Sequence, residues 1–459
     1  PWVQYSAQRN YTEEDRFQFR QETNTALFNA YYIAANNYKL IIDLNVDAKT
    51  SNAMAAYGNT KNQIAAGRIM LAYCFMNLAD AYGDIPYYSY GSSDTDFQAL
   101  QLDKNILQPK YASQVKVYTD IMKELKEAAE MINLNEKVFF KGDALFAGDP
   151  LKMKKFANSL RLRVATRVKN AIPAASAHIA DAIASGVMTS NADNVGVQYE
   201  NNTVNPSPFY SDHFVSNRTD FAISNTFVEL LKGDRGVFGV DPRLQKYAAP
   251  ITASKTAVRD KTYTETSDLT KYVGMPYGIT SAQAASQRPG TSYFSSQVLS
   301  ANYKEIMMEY SEVCFLLSEN ANWDVTFYKK GVEASMKKWG VAQNLIDAYL
   351  SSLPGANAEN VATQKYIALY MQPYEAWSEY RRTGFPSTLL KPGQKHVSNG
   401  VLPDGSTEYT FVALNGLSDL PTRFTYPVNS AQLNSENYSN AATAMGGDKL
   451  TSKLIWDKN

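Results

Sequence analysis

The carboxylates Glu375 and Glu379 stand four residues apart in one helical run, which puts both on one face of a helix. A glycosidase acid/base pair would need one of them, with a raised pKa, to face the other across a sugar ring. Two carboxylates on one solvated helix face do not meet that requirement. The same segment carries Trp377, Arg381 and Arg382, and with Asp84 these form a tempting catalytic cluster. Arginine forks that tie helix ends to loops by charge-assisted hydrogen bonds account for them better. His178, His213 and His396 lie far apart and match no metal or triad spacing. Cys74 and Cys314 sit in apolar runs, as small hydrophobes and not as a disulfide or zinc framework. The stretch Gly233-Asp234-Arg235-Gly236 lacks the lysine and the preceding strand of a phosphate loop. Asp94 and Asp96 offer oxygens that suit calcium, but no EF-hand spacing follows them. These residues predict no catalytic group, no cofactor and no metal.

Binding is better served. Tyr87, Tyr88, Tyr90 and Phe97 are interleaved with Gly91, Ser92, Ser93, Asp94 and Asp96. A second stretch holds Tyr199, Phe209, Tyr210, His213 and Phe214 with Asn201, Asn202 and Asn205; a third holds Tyr277, Arg288, Tyr293 and Phe294. Sugars present apolar C–H patches ringed by hydroxyls. A site for them needs aromatic platforms together with polar side chains that replace the lost water bonds. Each stretch has both ingredients, although many of these rings are expected to pin loops to the scaffold instead.

Composition narrows the class. Lys+Arg and Asp+Glu are both 45, so net charge is zero, and no basic block occurs. That argues against nucleic acid as a partner. Tyrosine is abundant, 31 against 20 Phe and 5 Trp, and its ring, apolar with a polar tip, suits half-wet surfaces. The chain is long enough to bury a large core without staples. No apolar run reaches the length of a membrane span.

The elements that position these residues are helical at first. Apolar residues at Tyr118, Ile121, Met122, Leu125, Ala128, Ala129 and Ile132 make one stripe opposite Lys123, Glu124, Lys126 and Glu127. Asp149-Pro150 is a helix start. The run from Gln63 to Tyr82 is apolar nearly all round and predicts a central helix broken by Gly83 and Pro86. From about 187 to 300 the pattern fades, with one short helix around Ser224–Leu231. Helices are expected again at Ala301–Glu319, Tyr328–Trp339, Val341–Ser351 and Thr363–Arg382, and from Gly384 onward the chain reads as irregular. Long irregular stretches in a compact protein are functional or disordered, and their aromatic content argues for order. No 34-residue consensus repeat is visible.

Three segments carry a resemblance. Ala66-Gly67-Arg68 through Leu78-Ala79-Asp80-Ala81-Tyr82-Gly83-Asp84-Ile85-Pro86-Tyr87 resembles the long helix and its terminal motif in the SusD/RagB family. Tyr310-Ser311-Glu312-Val313-Cys314-Phe315-Leu316-Leu317-Ser318-Glu319 is similar to a second helix of that family. Tyr374-Glu375-Ala376-Trp377-Ser378-Glu379-Tyr380-Arg381-Arg382-Thr383-Gly384-Phe385-Pro386 is similar to its "W-x-E-x-R-R-T-G-x-P" signature. Val240-Asp241-Pro242-Arg243-Leu244 and Arg423-Phe424-Thr425-Tyr426-Pro427 are weaker echoes, and the set follows the family's order. After Glu319 the family runs through small residues, whereas Asn320-Ala321-Asn322-Trp323 is more polar.

The resemblance implies a mainly α, tetratricopeptide-like scaffold in a single domain over 1–459. Its helical parts would lie at about 10–186 and 301–383, with irregular ligand-face segments at about 187–300 and 384–459. It also implies a Bacteroidetes-type lipoprotein, lipid-anchored at the extracellular face of the outer membrane, that binds glycan and serves a SusC-like TonB-dependent transporter without catalysis. The loop after the first motif and the irregular middle commonly form the ligand face. The expected ligand-binding residues are therefore Tyr88, Tyr90, Tyr293 and Phe294, joined by Tyr210 and Tyr277; Tyr87 is expected to be scaffold. Peptide cargo in the same role, a glycan-cleaving enzyme and a purely protein-binding repeat scaffold are the alternatives.

Overall fold

The structure is a computed structural model that describes residues 2–458. Among the described residues there are eighteen α-helical segments, and the eight strands are only two to five residues long. The protein is mainly α, as expected. It divides into two compact units, each drawn from two separate stretches of chain. One combines the residues up to 19 with 196–421, and the other combines 20–195 with those from 422 onward.

In the unit formed by 20–195 and the C-terminal stretch, helices α1 (Gln21–Val46), α2 (Thr60–Tyr82), α3 (Gln114–Met131), α4 (Pro150–Val168) and α5 (Ala175–Ala184) pack on one another in chain order. That is the arrangement of helix-pair repeats. The all-apolar α2 is buried on nearly every side, and it ends at Gly83, whose φ of 91° suits only glycine. On α3 the stripe of Tyr118, Ile121, Met122, Leu125, Ala128 and Ala129 is buried as its spacing predicts, whereas Glu124, expected on the opposite face, is also buried and pairs with Arg68 at 2.8 Å. Asp149 caps α4 by accepting from the Leu151 and Lys152 amides at 2.9 and 3.1 Å. Arg423 of the C-terminal stretch donates to the Tyr82 carbonyl at 3.1 Å and pairs with Asp448 at 2.7 Å.

In the other unit, α6 (Asn225–Lys232), α7 (Tyr310–Asn320), α8 (Val325–Lys338), α9 (Gln343–Ser352), α10 (Ala358–Ala368) and α11 (Pro373–Thr383) carry the core. Phe315, Tyr328, Val332, Met336 and Ile346 form its centre. Gly331 lets α7 and α8 approach, since a Cβ there would stand 2.8 Å from the Phe315 ring. The polar signature residues are scaffold here. Arg382 forks onto Glu319 at 2.8 and 2.7 Å and onto Glu379, Arg381 lies 3.6 Å over the Trp377 ring, and Trp377 donates to the Pro421 carbonyl at 2.8 Å.

Three sequence expectations are corrected. Ala301–Glu319 is not one helix: Lys304–Met308 is a strand, and only Tyr310–Asn320 is helical. The strand lies against Gly196 so tightly that a Cβ there would meet the Glu305 carbonyl oxygen at 2.2 Å, and pairing overrides the local helical pattern. Thr363–Arg382 is two helices, because Pro373 starts a new one. The stretch after Gly384 is not wholly irregular, since it contains α12 (Ser435–Ala444).

Candidate functional site

The site begins with two short segments of the irregular middle. Ser207 caps a turn by accepting from the Tyr210 amide at 3.3 Å, and Pro208 occupies its first helical position. The turn continues as a single π turn over Ser211–Val215. This winding puts Phe209 and His213 on one side, with His213 Nδ1 3.0 Å from the Phe209 carbonyl oxygen and the two rings stacked 6.1 Å apart. Phe294 meets both edge-on, at 5.4 Å from Phe209 and 5.8 Å from His213. Phe294 is held in extended backbone opposite Ala248, so its neighbour Tyr293 points the other way.

These rings wall a cleft of about 650 Å³. Its other sides come from the N-terminal strand Ser6–Gln8, paired antiparallel with Phe221–Ile223, and from the strand Lys304–Met308. Tyr199, Tyr303 and Tyr370 add rings, while Asp212, Arg218, Asp220 and Glu305 add charge. Arg218 and Asp220 are spent on each other at 2.6 Å. The Glu305 carboxyl is raised above its ordinary value, mainly because surrounding protein takes away water; Lys338 opposes this. His213 is buried, and burial lowers its pKa, so the ring is neutral. The cleft therefore offers flat apolar faces with a few polar groups, the make-up of a small-molecule site.

The six expected ligand residues fall in different places. Phe294 lies in the cleft wall. Tyr293 is half-buried under the Arg9 guanidinium at 5.6 Å, and Tyr210 packs edge-on to Phe214; neither lines the cleft. Tyr277 is fully buried against Phe411 and is a core ring, so it does not contribute a surface. Tyr88 and Tyr90 belong to the other unit, half-buried beside Lys39 at 5.5 Å and Arg68 at 5.1 Å. Tyr87, expected as scaffold, is buried and donates to Asp120 at 3.0 Å. Asp94 and Asp96 face Lys116 at 3.0 and 2.7 Å. The sequence reading missed Tyr303, Glu305 and Tyr370. Tyr303 and Glu305 stand two apart, so one side of the extended segment carries both, but a two-residue spacing alone does not mark a strand.

The class defined here is a mainly α scaffold whose irregular segments carry an aromatic cleft. Residues 1–407 match the SusD-like family described as starch-binding and associating with the outer membrane, and the chain belongs to that family. Among solved structures, it is similar to a chitin-binding protein at 29% identity and a TM-score of 0.77, covering 100% of this chain and 93% of that one. It is also similar to a SusD homologue from Parabacteroides distasonis at 21% identity and a TM-score of 0.76, covering 100% and 92%. A third similar structure is a Bacteroidetes SusD-like protein at 21% and 0.73, covering 100% and 94%. No curated sequence relative matches at a significant level. No helix among the described residues is long and apolar enough to cross a membrane.

Proposed function

We propose that this protein captures an oligosaccharide in the Phe209–His213–Phe294 cleft at the cell surface and hands it, uncleaved, to a SusC-like TonB-dependent transporter. The same reading holds it at the outer membrane by a lipid anchor. The observation that carries the proposal is the convergence of five rings, Tyr199, Phe209, Phe294, Tyr303 and Tyr370, with the unpaired carboxylates Asp212 and Glu305 in one cleft. Stacked rings recognise sugar C–H faces, and carboxylates accept from hydroxyls. Likeness to a chitin-binding protein supports a glycan over a peptide. Glu379, one of the carboxylate pair on α11, is held by Arg382 at 2.7 Å and Lys365 at 3.0 Å, which supports a structural role in place of catalysis.

Retardation in native gels that contain plant, microbial and host glycans tests the proposal. Tyr199→Ala, at a half-buried ring, is expected to weaken binding of the retarding glycan about tenfold, ~1.4 kcal/mol, with the melting temperature unchanged. Retardation by no glycan, or a Tyr199→Ala protein that binds as the parent does, would count against the cleft. Co-purification with the transporter from outer membranes tests the delivery step.

A further inference from the structure

We infer that the inner wall of this cleft is built to receive an acetamido group, so that the ligand is a glycan of N-acetylated amino sugars; this rests on the carbohydrate reading above. Three buried polar atoms on cleft residues have no hydrogen-bond partner within the protein: His213 Nε2, Tyr303 Oη and Tyr370 Oη. Buried polar groups are nearly always paired, so three orphans around one cleft ask for a partner brought from outside.

The chemistry of that partner can be read from theirs. The Phe209 carbonyl can only accept, so His213 Nδ1 carries the hydrogen of their 3.0 Å bond. Burial, with help from the nearby Lys255 and Arg9, outweighs that bond and Asp212 and keeps the ring neutral. Nε2 is therefore an acceptor and needs an N–H or O–H. The two tyrosine hydroxyls each have a hydrogen to give and need an acceptor. Around them stand Val3, Phe209, Phe294 and Met371, which favour an uncharged apolar group. An acetamido substituent has one N–H, one carbonyl oxygen with two lone pairs, a methyl and no charge. A hydroxyl alone leaves the apolar wall uncovered. The ammonium of a deacetylated sugar adds a charge and brings the tyrosines nothing to accept their hydrogens.

Calorimetry on the full chain separates the outcomes. The probes are β-1,4 tetramers of N-acetylglucosamine, glucosamine and glucose, with a blocked tripeptide as the peptide arm. The proteins are the parent, Tyr199→Ala, Tyr303→Phe and Tyr370→Phe. Each Phe replacement removes only an orphan hydroxyl, so thermal stability should hold or rise. The N-acetylglucosamine tetramer is expected to bind at least ~30-fold tighter than the other two tetramers, and each Phe replacement to weaken it about fivefold while weakening the glucose tetramer less, so that the selectivity between the two falls. Equal binding of the acetylated and glucose tetramers, both weakened by Tyr199→Ala, overturns the acetamido assignment and leaves the carbohydrate reading standing. Tightest binding of the glucosamine tetramer also overturns it, in favour of Asp212 and Glu305 holding a cation. Phe replacements that leave selectivity intact overturn the role of the hydroxyls. Binding of no tetramer overturns the acetamido assignment, and binding of the tripeptide alone overturns both readings.

Discussion

Asp15 shows how much one buried group can shape this protein's behaviour. One of its carboxylate oxygens accepts from the Gln8 amide at 2.6 Å; the other is buried without a partner. Burial raises its pKa to about 7, against the opposing Gln8 bond. The folded chain thus holds this proton more tightly than the unfolded one. Its stabilising contribution is complete below the unfolded pKa near 4 and is lost as pH rises through 7. Asp15→Asn keeps the acceptor for Gln8 and removes the titration. The variant should gain roughly 2–4 kcal/mol over the parent at pH 8 relative to pH 4, read as melting temperatures at the two pH values. Site residues were only partly legible at this scale. The stretch containing Phe209 and His213 stood out by composition, because rings mixed with amides are rare in a core. Tyr277 has the same local composition yet is buried, since composition reports what a loop contains and not which way each ring turns.

Elements were more legible where periodicity and caps agree, as in the α3 stripe and the Asp149-Pro150 start of α4. Asp149→Ala should cost about 1 kcal/mol, measured by chemical denaturation. Legibility failed where a distant partner decides. Nothing within Ala301–Glu319 announces that its first half will pair beside Gly196, and that pairing aims Tyr303 and Glu305 into the cleft. Gly196→Ala forces a Cβ against the Glu305 carbonyl and is expected to cost about 1–3 kcal/mol. It should also weaken glycan binding beyond what stability explains; full binding by a folded Gly196→Ala protein would show that the strand does not set the site.

At the scale of the whole molecule, 45 basic and 45 acidic residues leave no net field to draw a charged ligand. Affinity for a neutral glycan should therefore change less than about twofold between 50 and 500 mM salt, a titration that would expose a hidden electrostatic contribution. The two-stretch make-up of each unit has a separate consequence, in time instead of space. The strand Ser6–Gln8 finds its partner only at Phe221–Ile223, and the unit containing α2 waits for Arg423 and α12. A ribosome delivers the chain in one direction, so the opening segment must stay uncommitted while more than two hundred residues follow it. The helices of the second unit must then linger half-assembled until residue 423 is made. Neither unit is finished early, and a nascent stretch with an unfilled apolar seam is the species that chaperones would be expected to hold.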